Sequence, residues 1–350
     1  MRAPTTVKDR HAFHTLIDAR SPAEYAIDHI PGAINCPVLD DAQRVIVGTL
    51  YKQQGAFEAR RVGGAMVAEN LAKHLREKFA DKPAKWTPLV YCWRGGMRSG
   101  SMVTWMRMVG WDAQQLQGGY KSWRRFVIDA LEAQCPTLPL RVLVGATGSA
   151  KTSVLHALAA QGHQVLDLEG LAVHKGSILG AVPGQAQPSQ TAFETGLAHV
   201  LEKLDQLDTK RPLYVEGESR KIGRLTLPTP LVLRLRASPC IEIRATPRAR
   251  LDYLLRDYAY LGDAPQALAD KLGMLKDLHG RQVIERWQGW AMDGDLHALF
   301  AELMTLHYDP HYTRSQSNNF SAWASRQTLE TDDLTQAGVD ALAKAVAGLP

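Results

Sequence analysis

Apolar positions along this chain fall into two successive sets of short runs separated by amphipathic stretches. In the first set, HTLIDAR (His14 to Arg20) and PLVYCW (Pro88 to Trp93) are compact apolar runs bounded by breakers, the pattern of buried parallel strands. Between them, residues 62 to 79 have the composition and spacing of an amphipathic helix. A glycine-containing loop follows Cys92, then a helix over about 99–109, a short strand near 114–117 and a helix from about Tyr120. CPTLPL (Cys135 to Leu140) holds two prolines and no periodicity, which places a linker there.

The alternation then restarts. Arg141 to Val144 reads as a strand, GATGSAKT as a loop and Thr152 to Ala160 as a helix. QVLDL (Gln164 to Leu168), LYVE (Leu213 to Glu216) and IEIRA (Ile241 to Ala245) supply further strands, and Thr246-Pro247 opens a helix with a threonine cap and a proline in its first turn. Strands alternating with helices predict a parallel α/β sheet in each of two domains, 1–135 and 136–350. The residues from about Gln327 read as a helical tail, and no internal repeat is present.

At 350 residues, each half is long enough to bury its own core. A content of 45% hydrophobic and 22% charged residues is that of an ordinary globular protein. No stretch approaches the roughly 20 apolar residues that cross a bilayer, and MRAPTTVKDRHAFH lacks the apolar core of a secretion signal, so a cytoplasmic protein without membrane contact is expected. The net charge of +5 and pI of about 9.0 permit binding to a polyanion without demanding it. Four scattered cysteines without a Cys-x-x-Cys pair argue against a disulfide framework or a cysteine-rich zinc site, and favour one reactive thiol among inert ones.

Cys92 ends a buried strand just before a helix, with Trp93-Arg94-Gly95-Gly96-Met97-Arg98 between. Paired glycines let the backbone curl so that several N–H groups converge on one atom, and these donors, the helix start, Arg94 and Arg98 all favour negative charge on sulfur. The bland alternative is a buried strand cysteine beside an ordinary turn; Gly95, Gly96 and the two arginines tip the balance toward a nucleophile. Cys36, Cys135 and Cys240 lack such surroundings.

Gly145-Ala-Thr-Gly-Ser-Ala-Lys151-Thr152 follows a strand and opens a helix, the context of a Walker A loop. The backbone of Gly145, Thr147, Gly148, Ser149 and Ala150 is expected to cradle a diphosphate, with Lys151 reaching the terminal phosphate and Thr152 able to bind Mg2+. Ala150 stands where the consensus has glycine; its methyl can crowd the backbone against a phosphate, although alanine still adopts helical dihedrals. Glu216, at the end of LYVE, is a candidate to organise magnesium, against the alternative of an ordinary charged strand end.

Other segments carry weaker signals. Arg220, Lys221, Arg224, Arg244, Arg248, Arg250 and Arg256 suit phosphate or RNA contacts, with solvated faces the plainer reading of each. His307 and His311 are four apart, but Pro310 argues against the continuous helix that a zinc site there needs. Trp287 and Trp290 at helical spacing read as core.

DARSPAEYAIDHIPGAINCP (Asp18 to Pro37) resembles the N-terminal signature of rhodanese domains, and Cys92 falls where that family keeps its catalytic cysteine. In that signature Asp18 and Arg20 read as organisers of the fold, and Glu24 and His29 as capping or surface residues. YCWRGGMRSGSM, LQGGYKSWR, VGTLYKQQGAFEARR, HKGSILGAVPGQAQPSQTAFE, VEGESRKIG and HYDPHYTRS together resemble the tRNA 2-selenouridine synthase family over about 14–315. The resemblance implies a rhodanese-like parallel-sheet domain followed by a P-loop NTPase-like α/β domain with a C-terminal helical region. It implies that the wobble 2-thiouridine of tRNA is first S-geranylated from geranyl diphosphate, and that selenium from selenophosphate then replaces the geranylthio group. It further implies an S-selanylcysteine at Cys92, no tightly bound cofactor, tRNA as partner and a selenophosphate-supplying enzyme as a further one. Two rival readings stay open: a simple sulfurtransferase with the P-loop domain as a docking platform, and an ATP-driven RNA-binding protein with a structural rhodanese unit.

Overall fold

The computed structural model describes residues 4–204, 211–310, 312 and 319–350. The chain divides into two compact units between Ala130 and Leu131, and Pro188–His199 returns to the first unit.

The first unit is built on four parallel strands, β1 (Thr15–Asp18), β2 (Ile34–Asn35), β3 (Pro88–Tyr91) and β4 (Gln114–Gln115), in the order β2-β1-β3-β4. Asp18 pairs with Tyr91, so the two apolar runs end together at the same sheet edge. The helix expected over 62–79 spans Ala56–Glu77 and packs on a second helix, Asp41–Gln53, where Gly63 lies against Val47. Ile17, Val90, Leu71, Phe79, Met102, Met106 and Trp111 form the core.

Asp18 and Arg20 do organise this unit. Both are buried; the Arg20 guanidinium grips the Asp18 carboxylate, donates to the Asp28 carbonyl and lies 3.9 Å over the Tyr120 ring. Removing either partner strands a buried charge, at a cost of about 3–5 kcal/mol. Pro188–His199 joins the same network, since Thr195 Oγ1 and the Tyr120 hydroxyl both donate to the buried Asp28 carboxylate, at 2.9 and 2.6 Å.

The second unit holds β5 (Leu140–Val144), β6 (Gln164–Leu166), β7 (Leu213–Glu216), a hairpin of β8 (Lys221–Ile222) and β9 (Leu225–Thr226), β10 (Cys240–Ala245) and β11 (Gln327–Thr331). Its parallel sheet runs β11-β10-β5-β7-β6, with β5 in the middle. Thr246 caps the helix Pro247–Asp257 as its sequence predicts, accepting from Ala249 N–H.

The tail departs from expectation. Instead of a helical appendage it supplies edge strand β11, paired in register with β10, and then the helix Gln336–Gly348. Val339, Leu342, Ala343 and Val346 of that helix share a core with Val154 and Leu155. QTLET has little apolar alternation of its own, and its strand conformation comes from pairing with a distant partner. A helical region carries the rest of this unit's core, centred on Trp287, which is fully buried and donates to Glu302 at 2.8 Å.

Candidate active sites in the two units

In the first unit β3 delivers Cys92 to its loop, and the helix Met97–Val109 starts five residues later. Gly96 N–H points at Sγ from 3.3 Å and the Ser99 hydroxyl lies 3.1 Å from it. Gly95 sits at φ +67°, and a β-carbon there would come within 2.8 Å of the Leu116 carbonyl, so the turn takes only glycine. The start of the helix Gly119–Gln134 backs the loop: Tyr120 N–H donates to the Cys92 carbonyl and Lys121 N–H to that of Trp93, at 2.8 and 3.0 Å. The segment LQGGYK thus holds the shape of the thiol loop.

The two arginines act less directly than their spacing suggests. Arg94 is exposed, and Arg98 makes a two-point pair with Glu24, at 2.5 and 3.2 Å. Burial opposes ionisation of Glu24, but the Arg98 guanidinium outweighs it and holds the carboxyl below its usual range. The groups that bond to sulfur are therefore neutral dipoles at a helix start, an arrangement that favours a bound anion. Ser99 was not singled out by pattern; a small polar residue in the first helical turn, on the side of the strand end, is the signal that identifies it. Burial pushes the Cys36 and Cys240 thiols up to about 11 and Cys135 to about 12, which leaves them inert.

In the second unit the middle strand β5 leads into the phosphate loop, and the helix Lys151–Ala160 begins at the lysine. Gly148, at φ +84°, is pressed against Arg250, whose carbonyl a β-carbon would meet at 3.0 Å. Ala150 lies at φ 58°, ψ 28°, the left-handed region. The departure from consensus therefore carries backbone strain of about 1–2 kcal/mol. Its methyl is buried among Val154 and Leu155, which returns about 0.8 kcal/mol.

A cavity of about 390 Å3 opens at this loop, lined by Thr147, Gly148, Ala150, Lys151 and Thr152 of the loop and helix start and by Tyr253, Leu254, Tyr258 and Tyr308, among others. Gly145 and Ser149 do not line it: the Gly145 carbonyl accepts from Lys151 Nζ at 2.8 Å, and the Ser149 hydroxyl is buried. Burial pushes the Lys151 ammonium below its usual range, against the pull of Glu218 and Glu169. Glu216 is fully buried; its Oε2 accepts from Leu168 N–H at 3.2 Å, and burial, then Asp167 and Glu169, push its carboxyl well up. The acidic groups on the cavity wall are instead Glu169, which accepts from Thr152 Oγ1 at 2.9 Å, Glu218 and Asp257. Glu169 follows β6 in a helix of five residues, too short for its facing to be read from periodicity.

Several segments find their place around this cavity. Lys175, from HKGS, pairs with Asp257 at 2.9 Å and lies 4.5 Å over the Tyr258 ring. Arg250 is no solvated cation: it is buried, donates to the Thr147 carbonyl at 2.9 Å and is gripped by Asp309 of HYDP. Arg244 pairs with Glu242 and Glu330, and Arg256 donates to the Leu334 carbonyl, whereas Arg248, Arg220 and Lys221 are exposed. Helical backbone reaches Pro310 by way of a π-turn over Met304–Tyr308. His307 lies 3.1 Å from His279, and His311 falls outside the described residues. Among the described residues no three His, Cys, Asp or Glu side chains group to hold a metal.

A pH dependence follows from Glu169. Burial, then Glu218, push its carboxyl up to about 8, and burial raises Glu218 as well, so the pair gains negative charge as pH rises above neutrality. Ionisation places a negative charge beside any bound anion. Inorganic diphosphate, titrated without divalent metal, should therefore bind more weakly as pH rises from 7 to 9. Glu169→Gln should remove that part of the slope and bind about tenfold more tightly at pH 9, for a relief of roughly 1.4 kcal/mol. An identical slope in both proteins would contradict this. The same shift makes folding stability fall as pH rises from about 4.5 toward 8, because over that window the folded state holds a proton that the unfolded chain has lost, and the loss persists at higher pH.

Comparison with known proteins agrees with both halves. Residues 4–126 match the model of the rhodanese-like domain, and residues 138–276 that of the tRNA 2-selenouridine synthase AAA domain. The tRNA 2-selenouridine synthase of Nitrosomonas europaea is 38% identical over 69% of this chain and 63% of its own length. That of Alcanivorax borkumensis is 38% identical over 73% of each chain, and that of Marinobacter nauticus 33% identical over 85% of this chain and 87% of its own. With a rhodanese-like thiol loop in one unit, a phosphate loop in the other and relatives that match across both, this chain belongs to the tRNA 2-selenouridine synthase family.

Proposed function

We propose that the chain converts the wobble 2-thiouridine of tRNA to 2-selenouridine in two steps, one served by each unit. In the first, the thiocarbonyl sulfur attacks C1 of geranyl diphosphate, the C–O bond breaks and diphosphate leaves. The phosphate loop and Lys151 neutralise the charge that develops on the leaving group. Tyr253, Leu254, Tyr258 and Tyr308 offer apolar surface in the same cavity as the phosphate loop, which suits a prenyl diphosphate better than a nucleotide triphosphate alone. Thr152 and, once ionised, Glu169 and Glu218 are hard oxygen donors that would hold Mg2+, which would supply further charge neutralisation.

In the second step, selenophosphate is held at Cys92 and its selenium attacks C2 of the uridine; the C–S bond breaks and geranyl thiolate leaves as the C–Se bond forms, and water then cleaves the P–Se bond to release phosphate. Alkylation in the first step makes this possible, because a geranyl thiolate departs where a bare thiocarbonyl sulfur does not. The observation that carries the reading is the cradle of Gly96 N–H and Ser99 O–H around Cys92 Sγ at a helix start. Incubating the protein with thiolated tRNA, geranyl diphosphate and selenophosphate, omitting one at a time, tests it. Omitting selenophosphate should stop the reaction at the geranylated nucleoside, and omitting geranyl diphosphate should stop it at 2-thiouridine. Selenium incorporation without geranyl diphosphate contradicts the order.

A further inference from the structure

We propose that Gln115 is a positioning residue for Cys92, acting through Ser99. The inference rests on Cys92 being the working thiol, but its test does not depend on selenium transfer.

Gln115 lies on β4, opposite Val90 of the strand that delivers Cys92. Its amide nitrogen donates to two atoms of the thiol loop at once: the Gly96 carbonyl at 2.9 Å and the Ser99 hydroxyl oxygen at 2.8 Å. A carbonyl only accepts, so the end of the amide facing Gly96 is the NH2 group.

This double contact decides where one proton goes. The Ser99 hydroxyl has a single hydrogen and two acceptors in reach, Cys92 Sγ at 3.1 Å and the Gly96 carbonyl at 3.3 Å. Gln115 fills an acceptor site on Gly96 and donates to Ser99 Oγ, leaving the hydroxyl hydrogen to be given to sulfur. It also weakens the competing contact in which the thiol itself donates to the Gly96 carbonyl, at 3.9 Å. Both effects stabilise the thiolate over the thiol. The two arginines of this segment are otherwise placed: Arg98 is held by Glu24 and Arg94 is exposed. A glutamine in a two-residue strand carries no rhodanese-like signature, and its function is visible only in what it touches.

The experiment is a double-mutant cycle read by the pH profile of Cys92 carboxamidomethylation with iodoacetamide, followed at the Cys92 peptide by mass spectrometry. Ser99→Ala should move the midpoint of the profile up by roughly one pH unit, and Gln115→Met by about half as much. The double variant should fall well short of the sum of the two single shifts, because Gln115 acts chiefly through the hydroxyl. Isosteric Gln115→Glu, which reverses the hydrogen bond and draws the Ser99 proton away from sulfur, should shift the midpoint further than Gln115→Met, and gives the answer even if the methionine variant loses its fold. An unmoved midpoint in Gln115→Glu, or a Gln115→Met shift that adds in full to that of Ser99→Ala, overturns the proposal. If the midpoints move as expected while selenium transfer in the wild-type protein proves independent of Cys92, the positioning stands and the wider function fails.

Discussion

Cys92→Ala is expected to leave tRNA carrying S-geranyl 2-thiouridine with no 2-selenouridine, a fall in selenium incorporation of about 10³-fold or more. The substitution removes the one atom that Gly96 N–H and Ser99 O–H converge on, and no other group in that loop can hold a chalcogen. The remaining cysteines cannot replace it, since burial raises all three thiols to about 11 or 12. Loss of one sulfur from a buried site should cost about 1–2 kcal/mol, so the variant keeps its fold and its phosphate cavity. Mass analysis of digested tRNA nucleosides reads the result directly. A variant that still incorporates selenium, or one that also loses the geranylated nucleoside, contradicts the assignment of Cys92 to the second step.

Lys151→Ala should instead stop the reaction before geranylation, by about 10²–10³-fold, the usual cost of removing a group that neutralises a leaving charge. Lys151 opens the helix after the loop, donates to Gly145 and lines the cavity with Thr152. Selenium incorporation into thiolated tRNA falls with it, because the second step loses its substrate. Supplying tRNA already geranylated at the wobble position should restore selenium to the wild-type level in Lys151→Ala but not in Cys92→Ala. Failure of that rescue, with the variant folded, removes the division of labour between the two units.

The two predictions draw on features of different legibility. Cys92 and Lys151 each stand at a strand-to-helix junction marked by glycines, a pattern that sequence expresses because strand, glycine turn and helix start follow one another within a few residues. Their partners are not local. Arg98 opens the helix after the thiol loop, yet its charge is committed to Glu24, and Arg250, one of several similar arginines in sequence, bonds both the Thr147 carbonyl and Asp309. Glu216 ends its strand as expected but is buried, while Glu169, one strand away in the sheet, reaches Thr152.

The sequence by itself determined the class of fold, most of the strands, the thiol loop and the phosphate loop, because strand burial, helix amphipathicity and glycine turns are written within a few residues. The tertiary structure decided which charges meet, that the tail becomes edge strand β11 and a core helix, and that Pro188–His199 joins the first unit through Asp28. It also decided the form of strain at Ala150, whose left-handed backbone no neighbouring residue announces. Hydrogen bonds and ion pairs between segments far apart in the chain depend on distances that only folding creates, and a one-dimensional pattern holds no record of them.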